Sequence, residues 1–220
     1  MPTTALLATA PEWIALLASY LLGAVPFGLV LGYLVRGVDI RTAGSGNIGA
    51  TNAGRVLGRP WAIVAFALDF AKGWAPAGLL APWLSPPERP GLALAVLCGA
   101  AAVGGHVWPV YLRFRGGKGV ATGCGVILAL DPIVFLGGGL AWLATLALTR
   151  FVGLSSMVMG AAFPLIAAWR MGGSRYGLEV VLGGAALAVL VLVRHRANIR
   201  RMLRGTEPRI GAPHRAKETP

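Results

Sequence analysis

Three polar stretches in an otherwise apolar chain hold the residues whose types and spacing could do chemistry. The first runs Gly44-Ser45-Gly46-Asn47-Ile48-Gly49-Ala50-Thr51-Asn52 and continues to Arg55 and Arg59. Its opening matches G-x-G-x-x-G, and Asp69 supplies an acidic residue at the distance a dinucleotide site would want. That fingerprint requires a strand before it and a βαβ unit around it. Here an apolar segment of helix length follows and contains Asp69, so nucleotide binding is rejected. The physics of the loop survives. Glycines such as Gly46 and Gly49 let backbone N–H groups converge on an anion. Ser45, Asn47, Thr51 and Asn52 add short polar groups, and Arg55 can fork onto phosphate. The alternative is a tight turn beside a membrane; four small polar residues with Arg55 point to an anion site.

The second stretch runs from Gly105-His106-Val107-Trp108-Pro109 to Phe114-Arg115-Gly116-Gly117-Lys118-Gly119-Val120-Ala121-Thr122. It lacks nucleotide P-loop spacing, because valine follows Lys118-Gly119. Backbone from Gly116, Gly117 and Gly119, the Lys118 point charge and Thr122 nonetheless suit an anion ahead of a helix. Arg113 and Arg115 are read as topological charges. His106 either supports the site or only bonds backbone at a helix end. The third stretch, Arg194-His195-Arg196-Ala197-Asn198 onward to Gly205-Thr206-Glu207, aligns His195 and Asn198 on one helical face where a helix leaves the apolar region. Arg200, Arg201 and Arg204 fit a basic surface on anionic lipid. Deeper in the sequence pattern, Asp69 and Lys72 lie three apart within an apolar segment. Ionisable groups there are costly and usually paired, so they form a structural ion pair or a support for the first loop.

The elements that position these stretches must be membrane helices. Of 220 residues, 56% are hydrophobic and 13% charged, against roughly a quarter charged in soluble domains; mean hydropathy is +0.69. Apolar segments fall at 12–28, 61–84, 91–111, 120–130, 133–149, 154–171 and 177–193. With flanking residues most reach the ~20 residues of a spanning helix. The segment 120–130 rises only about 16 Å and is expected to be a short helix packed against protein. Asp131-Pro132 ends it, since the residue before proline leaves the helical region. The expected fold is an all-α polytopic integral membrane protein of about seven transmembrane helices, one of them short. A single membrane domain spans 1–205 and a basic tail spans 206–220.

Seven crossings put the termini on opposite sides. Sixteen Lys and Arg residues then share one side, against Arg89, Arg170 and Arg175 on the other. The positive-inside rule places the C-terminus and all three polar stretches in the cytoplasm and the N-terminus outside. Trp13, Trp61, Trp83, Trp108 and Trp169 fall near segment ends, as an aromatic belt requires. Ala8-Thr9-Ala10 resembles a signal-peptidase site, but no basic region and no adequate apolar run precede it, so an uncleaved start is expected. The net charge of +12 suits anionic headgroups and anionic substrates. Nucleic acid is excluded as a partner because the aromatic residues sit in apolar runs, away from the basic ones. Cys98 and Cys124 are isolated thiols without metal-ligand spacing.

SGNIGATNAGRVLG, GHVWPVYLRFRGGKGVATG and RHRANIRRMLRGTE, in that order, resemble the three signature motifs of the bacterial acyl-phosphate:glycerol-3-phosphate acyltransferases, the PlsY family. DFAKG at 69–73 and the serines of RFVGLSS at 150–156 resemble family features as well. The resemblance covers nearly the whole chain. It implies seven membrane helices, an acyl-phosphate donor, glycerol 3-phosphate as acceptor and lysophosphatidic acid as product, in phospholipid biosynthesis at the bacterial inner membrane. It implies no metal and no other cofactor, and a monomer in contact with membrane lipids. By motif position Ser45, Lys118, His195 and Asn198 are carried over as catalytic. Asn47, Thr51, Asn52 and Arg55 are carried over as substrate-binding, with Ser155 or Ser156; Gly46, Gly49, Gly116, Gly117, Gly119, Thr122 and Glu207 within the motifs join them. Asp69, Lys72 and His106 would support the site.

In such an acyl transfer a glycerol hydroxyl attacks the acyl-phosphate carbonyl and phosphate leaves. Arg55, Lys118 and a protonated His195 would offset the repulsion between two anionic substrates. Ser45 and backbone N–H groups could stabilise the oxyanion. Phosphate leaves readily, so no protein nucleophile is required, and the chain has neither an HxxxxD box nor a GxSxG elbow. His195 can act as general base, or bind phosphate while a substrate phosphate takes the proton; the resemblance leans to the second. Two other classes remain, a transporter of a phosphorylated solute and a structural or lipid-binding membrane protein. A transporter would hold its ionic site near the bilayer midplane, whereas only Asp69 and Lys72 lie deep.

Overall fold

The computed structural model describes residues 10–85, 91–172 and 177–211. Arg89, Arg175, the Ala8-Thr9 part of the possible cleavage site and the tail from 212 lie outside the described residues. Within them every regular element is helical.

α1 (Ala10–Ala24) and α2 (Phe27–Arg36) form one long apolar stretch interrupted at Val25-Pro26. The first apolar segment therefore runs eight residues beyond its expected end at 28. Pro26 caps the start of a new helix, and Gly37 in the left-handed region ends it. α3 (Ala50–Leu57) is a short surface helix. α4 (Arg59–Ala75) continues through a π-helical turn (Pro76–Leu80) into α5 (Ala81–Leu84). α6 (Leu92–Val107), α7 (Val120–Leu130), α8 (Pro132–Thr149), α9 (Val152–Met171) and α10 (Leu178–Arg194) follow, and α11 (Arg196–Leu203) leaves α10 at a bend of 52°.

All seven apolar segments are helical, and five or six of them are candidate spans by length and apolar composition. Five stretches are long and apolar enough by themselves, and α10 reaches that length only together with α11. α7, with 11 residues, is too short, and it is buried: Thr122 to Ile127 are all shielded. It packs against α4, α6 and α8, which is how a half-helix survives at membrane depth. Asp131 turns the chain from α7 into α8. Its Oδ1 accepts from the N–H groups of Ile133 and Val134, with Pro132 at the first helical position, and its Oδ2 pairs with Arg170 Nε at 2.9 Å.

Outside, the helices present large apolar side chains such as Leu17, Ile63, Leu140, Leu148, Leu165 and Leu182. Trp13, Trp83, Trp108 and Trp169 are also exposed. This surface needs hydrocarbon as solvent. Inside, small residues let backbones meet. A Cβ on Gly23 of α1 would overlap the Ala102 carbonyl oxygen of α6, and one on Gly73 of α4 would overlap the Thr122 carbonyl of α7.

The Gly23 contact joins α1 to α6 beside Gly105, so it tests helix packing. Gly23→Ala should cost about 1–3 kcal/mol by overpacking and lower Tm in detergent. Ligand affinities of the folded fraction should be unchanged; an unaltered Tm would show that α1 and α6 do not pack this closely.

Candidate active site

The three polar stretches meet around one cavity of about 330 Å³. At its rim, the first stretch is shaped by a single buried side chain. Asn52 Oδ1 accepts from the N–H (2.7 Å) and hydroxyl (3.2 Å) of Ser45, and Nδ2 donates to the carbonyls of Ile40 (2.7 Å) and Ala43 (3.2 Å). Both amide protons are thereby used. Asn52, expected to bind substrate, spends its polar groups building the loop. Asn47 accepts from Gly49 N–H at 2.9 Å, an Asx turn that starts α3. Gly46 is a left-handed turn residue outside the cavity lining. Asn52 itself lines the cavity, as do Ser45, Asn47, Gly49, Thr51 and Arg55. The N–H groups of Ala50 and Thr51 have no partner within the helix, so α3 brings the positive end of its dipole to the cavity. Burial draws the Arg55 guanidinium pKa below its ordinary value, with Glu207 opposing and Arg201 adding to the fall.

The lysine loop is built differently from expectation. Gly116 N–H donates to Val107 O (3.2 Å) and Gly117 N–H to His106 O (3.0 Å). The carbonyls of Gly116 and Gly117 accept from Arg194 Nη2 (3.0 Å) and Nε (3.1 Å). Neither glycine lines the cavity. Their backbone groups are committed to the fold, so no amide cradle forms at these two residues. Gly119, left-handed at φ 79°, turns the chain into α7 where a side chain would be strained. Gly119, Val120 and Ala121 line the cavity, so the N-terminus of α7 faces it opposite that of α3. Thr122 is fully buried outside the cavity lining; its hydroxyl has no hydrogen-bond partner among the described residues.

Lys118 Nζ donates to Asn198 Oδ1 at 2.5 Å. Asn198 Nδ2 donates to Glu207 Oε1 (2.6 Å), and Glu207 Oε2 takes Arg201 Nε (2.6 Å). Gly153 on α9 gives Asn198 room: a Cβ there would stand 2.8 Å from Asn198 Nδ2. Burial lowers the Lys118 pKa to about 8; the Glu207 carboxylate props it up, while Arg201, Arg55 and Arg194 push it down. Arg201, read from sequence as a lipid-facing charge, is thus part of this chain. Residues 206–211 also belong to the packed body: Glu207 is buried, Pro208 lines the cavity and Ile210 N–H donates to Arg150 O at 2.9 Å.

His195 sits at the bend, beyond the last residue of α10. Its Nδ1 lies 2.7 Å from Val191 O. A carbonyl only accepts, so Nδ1 carries the proton and Nε2 keeps its lone pair. Burial, and then the Lys118 ammonium, depress its pKa to about 4. The ring is neutral, which speaks against the imidazolium alternative and leaves Nε2 as an acceptor.

Beyond the polar end the cavity continues as an apolar groove walled by Phe66, Phe135, Trp142, Leu143 and Met159 from α4, α8 and α9. No sequence motif marks these residues, since groove-lining and lipid-facing side chains share one composition. Of the two serines, Ser156 lines the groove and Ser155 does not; both hydroxyls donate to the carbonyl four residues back. At the floor, Asp69 Oδ1 stands 2.7 Å from Lys72 Nζ and 3.6 Å from His106 Nδ1. Lys72 also donates to Val25 O (2.7 Å), at the break between α1 and α2. Asp69 and His106 face the cavity; Lys72 secures α4 to α1 and does not reach the first loop. Arg113 and Arg115 are exposed. The residue missed from sequence is Arg194, counted there as a topological charge although it precedes His195 in the third motif.

Glu207 is the principal group raising the Lys118 pKa, so Glu207→Gln should shift Lys118 deprotonation below pH 8. The pH dependence of Lys118 acetylation, followed by mass spectrometry, measures this. An unshifted midpoint would disconnect Glu207 from Lys118.

Comparison with known proteins bears on what this arrangement does. A family model described as Glycerol-3-phosphate acyltransferase matches residues 13–205. A "Glycerol-3-phosphate acyltransferase" of Desulforudis audaxviator is 45% identical over 191 residues, covering 87% of this chain and 91% of the relative. One from Dinoroseobacter shibae is 46% identical over 211 residues, covering 95% and 98%. The crystal structure of PlsY (YgiH), an integral membrane glycerol 3-phosphate acyltransferase in its glycerol 3-phosphate form, superposes with TM-score 0.82 at 37% identity, covering 91% of this chain and 96% of that one. Its lysophosphatidic acid form gives TM-score 0.79. With nearly its whole length matched in both sequence and fold, the chain belongs to the glycerol-3-phosphate acyltransferase family and is a multi-pass membrane acyltransferase.

Proposed function

We propose that this chain transfers an acyl group from acyl-phosphate to glycerol 3-phosphate, releasing inorganic phosphate and lysophosphatidic acid for phospholipid synthesis. The observation that carries the proposal is the two-part cavity. A cationic end made of Arg55, Lys118 and two helix N-termini runs directly into an apolar groove. An acyl-phosphate has the same two parts, a dianionic head and a hydrocarbon chain. The names of the solved relatives supply glycerol 3-phosphate and lysophosphatidic acid.

The glycerol hydroxyl oxygen attacks the acyl carbonyl carbon, the acyl C–O bond to phosphorus breaks, and phosphate takes the electron pair. Lys118, Arg55 and the two helix dipoles stabilise the charge gathered there. The α7 N-terminus stands at the rim as donor for the oxyanion, while the Ser45 donors are engaged by Asn52. His195 orients the hydroxyl through Nε2. It is a poor final proton acceptor at a pKa of about 4, whereas a phosphate monoester takes its second proton near pH 6. The substrate phosphate is the stronger base by about two units and receives the proton. The proposed unit is a monomer. The seven-crossing arrangement, with α7 as the short crossing and the cavity open to the cytoplasm, rests on the sixteen-to-three distribution of basic residues. The same distribution supports an N-terminus outside, and the bacterial inner membrane is part of the proposal.

Purified protein in detergent should release phosphate from palmitoyl phosphate only when glycerol 3-phosphate is present; folded protein without this activity overturns the proposal. The Lys118 ammonium is present below about pH 8 and lost above it, so kcat/KM should fall on the alkaline side with a midpoint near 8. Lys118→Ala should remove nearly all turnover, and Lys118→Arg should push that limb beyond pH 9. His195→Ala should lower kcat while leaving the acidic limb in place, because that limb belongs to the substrate phosphate. Disappearance of the acidic limb would make His195 the base.

A further inference from the structure

We infer that Arg194 is a positioning residue for the acyl transfer, holding Lys118 at the reaction centre through the backbone of the loop that carries it. The inference deepens the acyltransferase proposal and rests on it. Four peptide groups of Gly116 and Gly117 fix the loop. Their N–H groups are held by the C-terminal carbonyls of α6. Their carbonyls are held by the two arms of one guanidinium, at 3.0 and 3.1 Å. Such a fork across consecutive carbonyls needs a planar donor with two parallel N–H groups. Lysine offers a single point charge and cannot span both.

The consequence reaches Lys118 from both ends. Its backbone hangs on Arg194, the last residue of α10, and its ammonium hangs on Asn198, in the first turn of α11. His195 lies between them in the chain, at the bend. A single structural unit therefore fixes the lysine loop, the histidine and the asparagine in one register. Without the guanidinium the loop keeps its α6 ties on one side only, and Lys118 is free to swing away from Asn198. A displacement of about 1 Å at a reacting centre costs on the order of 100-fold in rate.

The electrostatic signature separates this role from packing alone. Glu207, Arg201, Arg55, Arg194 and His195 surround the Lys118 ammonium, and the Arg194 charge lowers its pKa. Arg194→Lys keeps a charge but loses the fork; Arg194→Gln loses both. The wild-type protein, assayed first for glycerol 3-phosphate-dependent phosphate release, establishes the underlying activity independently of these variants. Both variants should then show kcat lowered 10- to 100-fold, with KM for glycerol 3-phosphate within about threefold and Tm near wild type. The Lys118 titration midpoint, measured by acetylation and mass spectrometry, should rise in Arg194→Gln. At pH values above both midpoints, where the amine is fully neutral, Lys118 should be acetylated faster in both variants than in wild type. Arg196→Gln, which removes an exposed charge two residues away, should change none of these quantities. Wild-type kcat in folded Arg194→Lys overturns the inference. So does a loss of rate without any change in Lys118 acetylation, which would locate the effect elsewhere. Failure of both variants to fold would make Arg194 a residue of the fold itself and overturn it equally.

Discussion

A lysine that must remain charged while largely shielded from water is the constraint on which the site depends. Removing an ammonium from bulk solvent costs several kcal/mol unless other groups replace its hydration. At Lys118 that replacement is a line of three side chains. Asn198 presents its carbonyl oxygen, Glu207 holds the other end of the same amide, and Arg201 balances the carboxylate. The outcome is a compromise, with the Lys118 pKa drawn down to about 8. The group stays cationic at neutral pH yet is weakly hydrated, so an arriving phosphate does not have to strip a water shell to reach it.

The same constraint explains why so much of the polar sequence serves construction. Asn52 uses its whole amide to shape the loop of Ser45, Asn47 starts α3, and the Gly116 and Gly117 peptides are tied to α6 and Arg194. An irregular backbone at the edge of hydrocarbon cannot leave its N–H and C=O groups to water. The glycine-rich stretches satisfy themselves first. What remains for a ligand is narrower than the motifs suggest: the first-turn N–H groups of α3 and α7, two cationic side chains and the free Nε2 of His195.

Much of this was legible from the chain. Apolar segment lengths gave the helices, the Asp131-Pro132 boundary gave the short α7, and three separated motifs gave the cavity's polar end. The failures are instructive. The first apolar segment is expected to end at 28, whereas α2 starts after Pro26 and runs to Arg36; a proline can begin a helix as well as end one. Arg194 and Arg201 were counted as topology because one guanidinium in a basic run resembles the next; only distances to Gly116, Gly117 and Glu207 separate them from Arg200 and Arg204. His195 was given a charge that burial and a neighbouring cation remove. Phe66, Phe135 and Trp142 escaped notice because an acyl groove and a lipid-facing surface are built from the same residues.

The short α7 links the fold to the chemistry. It and α8 meet at the Asp131 turn, yet α7 has 11 residues and α8 has 18. At 1.5 Å per residue, a helix returning alongside α7 overshoots its start by about 10 Å. The N-terminus of α7, with Lys118 just ahead of it, is therefore recessed below the level at which α8 emerges. A full-length seventh helix would carry that N-terminus and its lysine out to the headgroups, away from the groove. Stopping it short sets a positive helix end and an ammonium beside the apolar groove. The recess needs walls, which α4, α6, α8, α9 and the bend after α10 provide. It also needs the peptide groups at its mouth that are not left for a ligand to be satisfied by the protein, which is the work of Asn52 and Arg194.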